Sequence, residues 1–309
     1  MLYGYAIVVA MWFVLSILAL FMQTARRSTE KKAARNIDSM ALTWLQQAAG
    51  MPFIIATLFF AKFYLPDQLP VHFWQLMVIY VIASSLDVFC YFKAISVADI
   101  SYVAPLLTLV SVGNIVGAYF VLGQIPTVYG VTGALLIMTG AYLNNLAKRR
   151  EKTNVKGNKL AVILILILVI VRSYYANVEV TMLRDSNPTT FNFYSSLFSI
   201  PFIILVSVLV ISRGRNEIKY QNYWIKVNDS ARQHVIPLAI IGLTYTINLL
   251  ATYEAKLIGP NAGYVGAIKS ASVLPLVLIG LLFFKEKVVK LQWIGLVLII
   301  VGLIAIALN

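Results

Sequence analysis

The sequence has few of the residues that enzymes use for catalysis or for binding a metal. Cys90 is the only cysteine among 309 residues, and His72 and His234 are the only histidines. A single cysteine excludes an intramolecular disulfide framework, and so few thiol and imidazole groups exclude a zinc cluster built from them. No G-x-x-x-x-G-K-[ST] phosphate loop is present. We therefore expect no enzyme, no metal site and no cofactor.

Charge is also scarce. Charged residues make up 12% of the chain, hydrophobic residues 60%, and the mean hydropathy is +0.83. A soluble domain has about a quarter charged residues and roughly half apolar residues. Because one core of this size cannot bury so much apolar surface, lipid is the expected solvent. The net charge of +13 comes from clusters between apolar blocks, which indicates membrane topology and no nucleic-acid partner.

Long apolar runs dominate what is present. A helix needs about 20 apolar residues to cross a bilayer core of about 30 Å. Ten segments meet this criterion: 3–24, 41–63, 72–93, 100–122, 127–147, 159–178, 188–211, 234–254, 261–284 and 289–308. We predict an all-α integral membrane protein with five spans in 1–147, a basic linker at 148–158 and five spans in 159–309.

The two halves resemble each other. A shift of 162 positions places Tyr91 on Tyr253 and "GALLIMTG" (133–140) on "GLVLIIVG" (295–302). Because each half has an odd number of spans, the two repeats must be inverted relative to one another. Inverted repeats are typical of transporters, whose binding site lies near the midplane where the halves meet. The sequence thus predicts ten helices around a central cavity.

The segment 91–143 carries a short polar turn, an S-x-x-x-P-L helix start, a hairpin and a G-x-L-L-I-x-x-G helix. This pattern resembles the drug/metabolite transporter superfamily, EamA type, and it recurs at 253–303. Glu286 stands at the hairpin glutamate of that family, whereas the first half has Gln124. The resemblance implies a basket of ten helices in which helices 1, 3, 4, 6, 8 and 9 line the cavity. It also implies that both termini are cytoplasmic.

The distribution of lysine and arginine predicts the opposite orientation. Twenty lie in the odd-numbered loops, whereas the even-numbered loops hold three, Lys62, Arg184 and Lys256. Since basic loops remain in the cytoplasm, this bias places both termini outside it. We expect a multi-pass protein of the plasma (inner) membrane with cytoplasmic odd-numbered loops.

Polar side chains recur at helical spacing inside five of the predicted spans. A lysine at membrane depth costs about 3 kcal/mol, so such residues are expected to be functional. The candidates for substrate binding are Lys269 and Ser272 on helix 9, Tyr80, Asp87 and Tyr91 on helix 3, Arg172 and Tyr175 on helix 6, Asn114 on helix 4, and Tyr245 and Asn248 on helix 8. All five helices are among those that the resemblance assigns to the cavity.

We expect Lys269 and Arg172 to bind a carboxylate or phosphate, and Asp87 or Glu179 to hold an amine or carry a proton. Structural alternatives remain open at this point. In these alternatives, Lys269 pairs with Asp87 or extends to the membrane surface, and Glu179 lies at the interface. Asn114 and Asn248 then form interhelical hydrogen bonds.

The predicted function is secondary transport of a small organic metabolite, such as an amino acid, by alternating access. Efflux of cationic drugs ranks second, and is favoured if acids dominate the cavity. Exchange of sugar phosphates or nucleotide sugars ranks third, and is favoured if basic residues dominate. A non-transporting scaffold or a lipid-flippase subunit is the alternative from a different class. The expected partners are a small-molecule substrate and the bilayer, with the chain a monomer or homodimer.

Overall fold

The structure, a computed structural model, describes residues 2–34, 36–98, 100–150, 159–212, 218–284 and 289–308. This part of the chain is helical apart from turns and contains no strand. The helices are α1 (Leu2–Ala33), α2 (Ser39–Thr57), α3 (Val71–Val97), α4 (Ile100–Leu107), α5 (Val110–Leu122), α6 (Val128–Arg150), α7 (Lys159–Asp185), α8 (Pro188–Ser212), α9 (Ile218–Gln233), α10 (Val235–Ile258), α11 (Ala262–Ser270), α12 (Val273–Phe284) and α13 (Lys290–Ala307). Most of the predicted linker 148–158, and Glu286, lie outside the described residues.

Six helical segments, one of which runs from α4 into α5, are long and apolar enough to cross a membrane, and a shorter apolar segment covers Ala262–Leu278. The six are Val71–Val97, Pro105–Leu122, Lys159–Asp185, Pro188–Val208, Val235–Ile258 and Lys290–Ala307. The chain is therefore an all-helical, multi-pass integral membrane protein. Each of the ten predicted segments coincides with one helix or with a pair of consecutive helices.

Two predicted spans are interrupted near their middle. The segment 261–284 consists of α11 and α12, which meet at Ala271 and Ser272. Pro275 has no N–H to donate to the carbonyl of Ala271, so the helical ladder cannot continue there. The N–H groups of Ala271, Ser272 and Leu274 instead donate to carbonyls three residues earlier. The interruption is therefore a short 3₁₀ turn.

The segment 100–122 is divided in the same way into α4 and α5. The N–H groups of Thr108 and Leu109 donate to the carbonyls of Pro105 and Leu106, at 3.3 and 3.1 Å. The hydroxyl of Thr108 also donates to the carbonyl of Pro105, at 2.6 Å. A threonine hydroxyl that competes for a helix carbonyl bends the backbone. Both broken helices occupy equivalent positions in the two halves of the chain.

The connection between the seventh and eighth predicted spans contains α9, a helix that the sequence analysis treats as a loop. Its Trp224 ring lies 6.0 Å from that of Trp44, and Val227 is buried in a cluster with residues of α2 and α10 such as Leu238. Because α9 is too polar to cross a membrane, it joins two spans and does not add one.

The most extensive helix contacts join one half of the chain to the other. α1 packs against α10, α3 against α7, and α6 against α13. Along the last pair, glycines replace side chains: a Cβ atom on Gly133 would lie 2.7 Å from the carbonyl oxygen of Gly302. Gly140, Gly295 and Gly302 likewise lie where a Cβ atom would meet backbone of the facing helix. The two halves of the chain therefore pack against each other through three helix pairs and do not form separate bundles.

Candidate functional site

Asp87 lies between α3 and α7, where it neutralises Arg172. The Arg172 guanidinium donates from Nε to Oδ1 of Asp87 at 3.0 Å and from Nη2 to Oδ2 at 2.6 Å. The hydroxyl of Tyr175, one turn further along α7, donates to the same Oδ2 at 3.2 Å. A bidentate pair of this kind is strong and directional. Asp87 is therefore the counter-ion of Arg172, and the alternative in which it pairs with Lys269 is wrong.

Arg172 stands at the midpoint of α7 and still has an accessible side chain. Its relative exposure is 33%, whereas that of Asp87 is 6%. Arg27 of α1 and Tyr91 of α3 both lie close enough to Arg172 to interact with it electrostatically. Arg172 therefore has polar neighbours on α1 and α3 in addition to Asp87.

A second buried ion pair joins α7 to α10. Lys256 contacts Glu179, and its ammonium group also donates to the carbonyl oxygen of Ala176 at 2.7 Å. Both charged side chains are about 94% buried. One expectation is therefore wrong, because Lys256 is not a loop residue: it lies in α10 and neutralises Glu179 of α7. A hydropathy window scores each charge separately, so it cannot detect that the two neutralise each other inside the bundle.

Lys269 lies in the last turn of α11, immediately before the interruption. Its ammonium group donates to the hydroxyl of Thr252 on α10 at 2.9 Å. No carboxylate forms an ion pair with Lys269 in the described part of the chain. Its nearest contact is thus a neutral hydroxyl, which does not neutralise the charge.

α1 reaches the same interruption with two polar side chains. The amide of Gln23 donates to the carbonyl oxygen of Lys269 at 3.3 Å and to the hydroxyl of Ser272 at 3.2 Å. The guanidinium of Arg27 donates to the hydroxyl of Ser272 at 3.1 Å. Gln23 and Arg27 therefore tie α1 to the interruption, where the carbonyl oxygen of Lys269 also accepts from the N–H of Ser272.

Aromatic rings lie beside both ion pairs. The ring of Tyr80 is edge-on to those of Tyr175 and Phe191, with 5.4 Å between centroids in each case. Phe191 is in turn edge-on to Tyr253 at 5.2 Å. Tyr245 lies under the guanidinium of Arg26, 5.5 Å from its centre. Edge-on rings of this kind pack densely and retain a polar hydroxyl at one end.

Comparison with known proteins identifies the family. The model of the EamA-like transporter family matches residues 3–146 and 159–308, nearly the whole chain. The chain belongs to this family. Among solved structures, a crystal structure described only as that of a protein covers 95% of each chain, with a TM-score of 0.67 and 15% identity. At that identity the likeness shows the fold alone. No curated protein matches the chain.

The remaining predicted site residues of this EamA-like transporter occupy different environments. Asn248 is buried, and its amide donates to the carbonyl oxygen of Ala19, which is the interhelical bond considered as its alternative. Asn114 is half-buried and its side-chain oxygen has no hydrogen-bond partner. Ser272 is fully buried, so it acts through the groups that it binds. Tyr91 is half-buried near Arg27.

Sequence reasoning missed three polar residues at this site, Gln23, Arg27 and Lys256. The predicted first span ends at residue 24, so Arg27 is counted there as a loop charge. A signal for it was present: Ser16, Gln23 and Arg27 lie seven and four residues apart, on one face of a longer helix. In the described part of the chain no three His, Cys, Asp or Glu side chains lie together as a metal would require.

Proposed function

We propose that this EamA-like transporter is a secondary transporter that moves a small organic metabolite by alternating access. In this proposal ten spans form two inverted repeats, 1–147 and 159–309, around a central cavity in the plasma membrane. One observation carries it: charged side chains from both halves of the chain meet inside the helix bundle. Arg27 and Asp87 come from the first half, and Arg172, Glu179 and Lys269 from the second.

The interrupted helices support the same function. Secondary transporters commonly place their binding site at discontinuous helices, because helix ends offer backbone dipoles inside the membrane. Here the interruptions in α4–α5 and α11–α12 lie together, since the hydroxyls of Ser111 and Ser270 are 2.6 Å apart. Lys269 is adjacent to Ser270. The polar residues and the helix ends therefore share one region.

The ion pairs define roles for the predicted residues. Lys269 and the accessible part of Arg172 bind the substrate, and Tyr80, Tyr91, Tyr175 and Tyr245 form amphipathic walls. Asp87 and Glu179 remain candidates for proton coupling, and each has a cation that it must release on protonation. Proton uptake by either residue would then free Arg172 or Lys256.

Efflux of a cationic drug has less support. A carboxylate binds a cation best when it is free, but Glu30, Asp87 and Glu179 each contact a basic side chain. An amino acid, with its ammonium group, meets the same difficulty. The basic excess instead favours cargo that is anionic, as sugar phosphates are.

The test is transport in proteoliposomes with amino acids, amines and phosphorylated sugars, for wild type, Lys269→Ala and Asp87→Asn. We expect uptake or counterflow of at least one class, and its loss in Lys269→Ala. Lys290→Ala, which changes an exposed lysine at the start of α13, is the matched control. If both site variants fold and move cargo like wild type, the cavity assignment is wrong. If no class moves in wild type, the transport proposal fails.

A further inference from the structure

We infer that Lys269 and Arg27 form an anion-binding subsite at the interruption between α11 and α12, and that it selects organic dianions. Such cargo is a phosphate monoester or a dicarboxylate. The inference rests on the proposed transport function and adds a substrate class and a residue, Arg27, to it.

The first argument is the charge balance of the polar cluster. Its basic members are Arg26, Arg27, Arg172, Lys256 and Lys269, and its acidic members are Glu30, Asp87 and Glu179. Three basic side chains are paired, Arg26 with Glu30, Arg172 with Asp87 and Lys256 with Glu179. Two positive charges, on Arg27 and Lys269, therefore remain in excess.

The second argument is the proximity and access of these two cations. Arg27 binds the hydroxyl of Ser272, three residues beyond Lys269 at the end of α11, so both cations lie at the same interruption. Arg27 is exposed and Lys269 is half-buried, so both side chains are reachable. Their contacts are with the neutral hydroxyls of Ser272 and Thr252. Two like charges held at one place are stabilised by an anion between them, and a neutral hydroxyl cannot replace it.

The third argument is the position of the helix end. α12 begins at Val273, so its amino end, with a partial positive charge, lies at the same interruption. Gln23 holds the backbone there through the carbonyl of Lys269. Arg27 offers a planar fork and Lys269 a compact charge, a combination suited to the oxygens of phosphate or carboxylate. The subsite is thus organised before cargo arrives.

The charge excess decides the class of cargo. A dianion neutralises both cations. A zwitterionic amino acid leaves the excess unchanged and has no free carboxylate in the described cluster for its ammonium group. The subsite therefore favours dianions over zwitterions, neutral polyols and cations.

The experiment measures binding without transport. Purified wild-type protein in detergent is titrated with glycerol 3-phosphate, succinate, inorganic phosphate, leucine, glycerol and choline, and the midpoint of thermal unfolding is followed. We expect the dianions to raise the midpoint, while leucine, glycerol and choline have no effect. The phosphate and dicarboxylate arms distinguish the two sources of dianion.

The variants Arg27→Gln and Lys269→Gln are expected to weaken apparent dianion affinity at least about tenfold each. Lys269→Arg should recover part of it, and Lys290→Gln should leave it unchanged. If dianions do not bind to wild type, or bind to both site variants as tightly as to wild type, the subsite is wrong. Preferential binding of leucine or choline would overturn the dianion class.

Parallel proteoliposome assays separate this inference from the proposed function. Dianion binding that depends on both residues, without movement of any cargo, would refute transport and leave the subsite standing. Transport that is unchanged in Arg27→Gln and Lys269→Gln would refute the subsite and leave transport standing.

Discussion

At the scale of single residues, Arg172 is the charge that the membrane environment penalises most directly. It lies at the centre of a spanning helix, where an uncompensated guanidinium is costly. Asp87 offsets that cost through two hydrogen bonds, and Tyr175 adds a third to the carboxylate. Removing one partner of such a pair leaves the other uncompensated, and that is more harmful than removing both.

Asp87→Asn is expected to lower the free energy of unfolding by about 3 kcal/mol, because Arg172 loses its counter-ion. The double variant Asp87→Asn/Arg172→Gln should lose much less than the sum of the two single variants, since both charges are then absent. Thermal unfolding in detergent measures each. A single variant that unfolds at the wild-type midpoint would show that the pair does not stabilise the fold.

At the scale of secondary-structure elements, the crossing of α6 and α13 depends on the absence of side chains. A Cβ atom on Gly302 would lie 2.6 Å from the carbonyl oxygen of Gly133. That oxygen belongs to the backbone of a packed helix, so it cannot move aside as a flexible side chain can. Small residues of this kind allow membrane helices to approach closely.

Gly302→Ala is therefore expected to destabilise the protein by about 1–3 kcal/mol, the range seen for overpacked cores. Gly50→Ala is the matched control. Its added Cβ would meet the side chains of Thr246 and Tyr245 at 3.1 and 3.2 Å, and these side chains have more freedom to adjust. The comparison uses thermal unfolding in detergent. A Gly302→Ala variant that unfolds at the wild-type midpoint would mean that the crossing has room for a methyl group.

Two apolar segments, 100–122 and 261–284, each form two helices although each was predicted as one span. Pro275 and the Thr108 hydroxyl disturb hydrogen bonds near the middle of two apolar segments. Hydropathy depends on composition alone, so it recognises each segment as one span. The interruption then places Ser270 and Lys269 at a helix end, where polar side chains have backbone partners.

At the scale of the whole molecule, the two ends of the bundle differ. Where α7 ends and α8 begins, a buried cluster includes Phe73, Phe191, Tyr194 and Tyr253. The Lys256–Glu179 pair lies toward the same end, since both residues are near the C-termini of their helices. Arg27, toward the opposite end, is exposed. We expect the cavity to open toward the end that carries the basic loops.

We call the end of the bundle that holds the buried aromatic cluster the closed end. Glu179→Gln is expected to make this end more accessible to water, because Lys256 loses the partner that links α10 to α7. The test uses Ser270→Cys in a chain that also carries Cys90→Ala, so that residue 270 holds the single thiol. A membrane-impermeant thiol reagent is then applied to each face of oriented vesicles. Labelling from the closed end should rise in Glu179→Gln. Glu254→Gln, an exposed acid on α10, is the control. Unchanged labelling would mean that the pair does not close the cavity.

The orientation of the molecule is a separate prediction. The basic odd-numbered loops place both termini outside the cytoplasm. The structure removes Lys256 from the few basic residues of the opposite loops, which strengthens the bias. A reporter that is active only in the cytoplasm, fused after Asn309, should therefore be inactive. A strong cytoplasmic signal would show instead that the family orientation applies.

Family, fold class and the helices that carry charge could be predicted from the chain itself. Apolar length predicts the segments because a bilayer core requires about 20 residues. Helical spacing predicts shared faces because side chains three and four residues apart are neighbours. The glycines of α6 and α13 were likewise recognisable, since their pattern repeats in both halves. These are properties of neighbouring residues along one chain.

Only the tertiary structure decided which charge neutralises which. Asp87 pairs with Arg172, and Glu179 pairs with Lys256, because those side chains meet between packed helices that are far apart in sequence. The same packing leaves Lys269 beside a hydroxyl and brings Arg27 to it from another helix. The electrostatic energy of a buried charge depends on its distance from other charges. Such distances exist only after the helices have assembled.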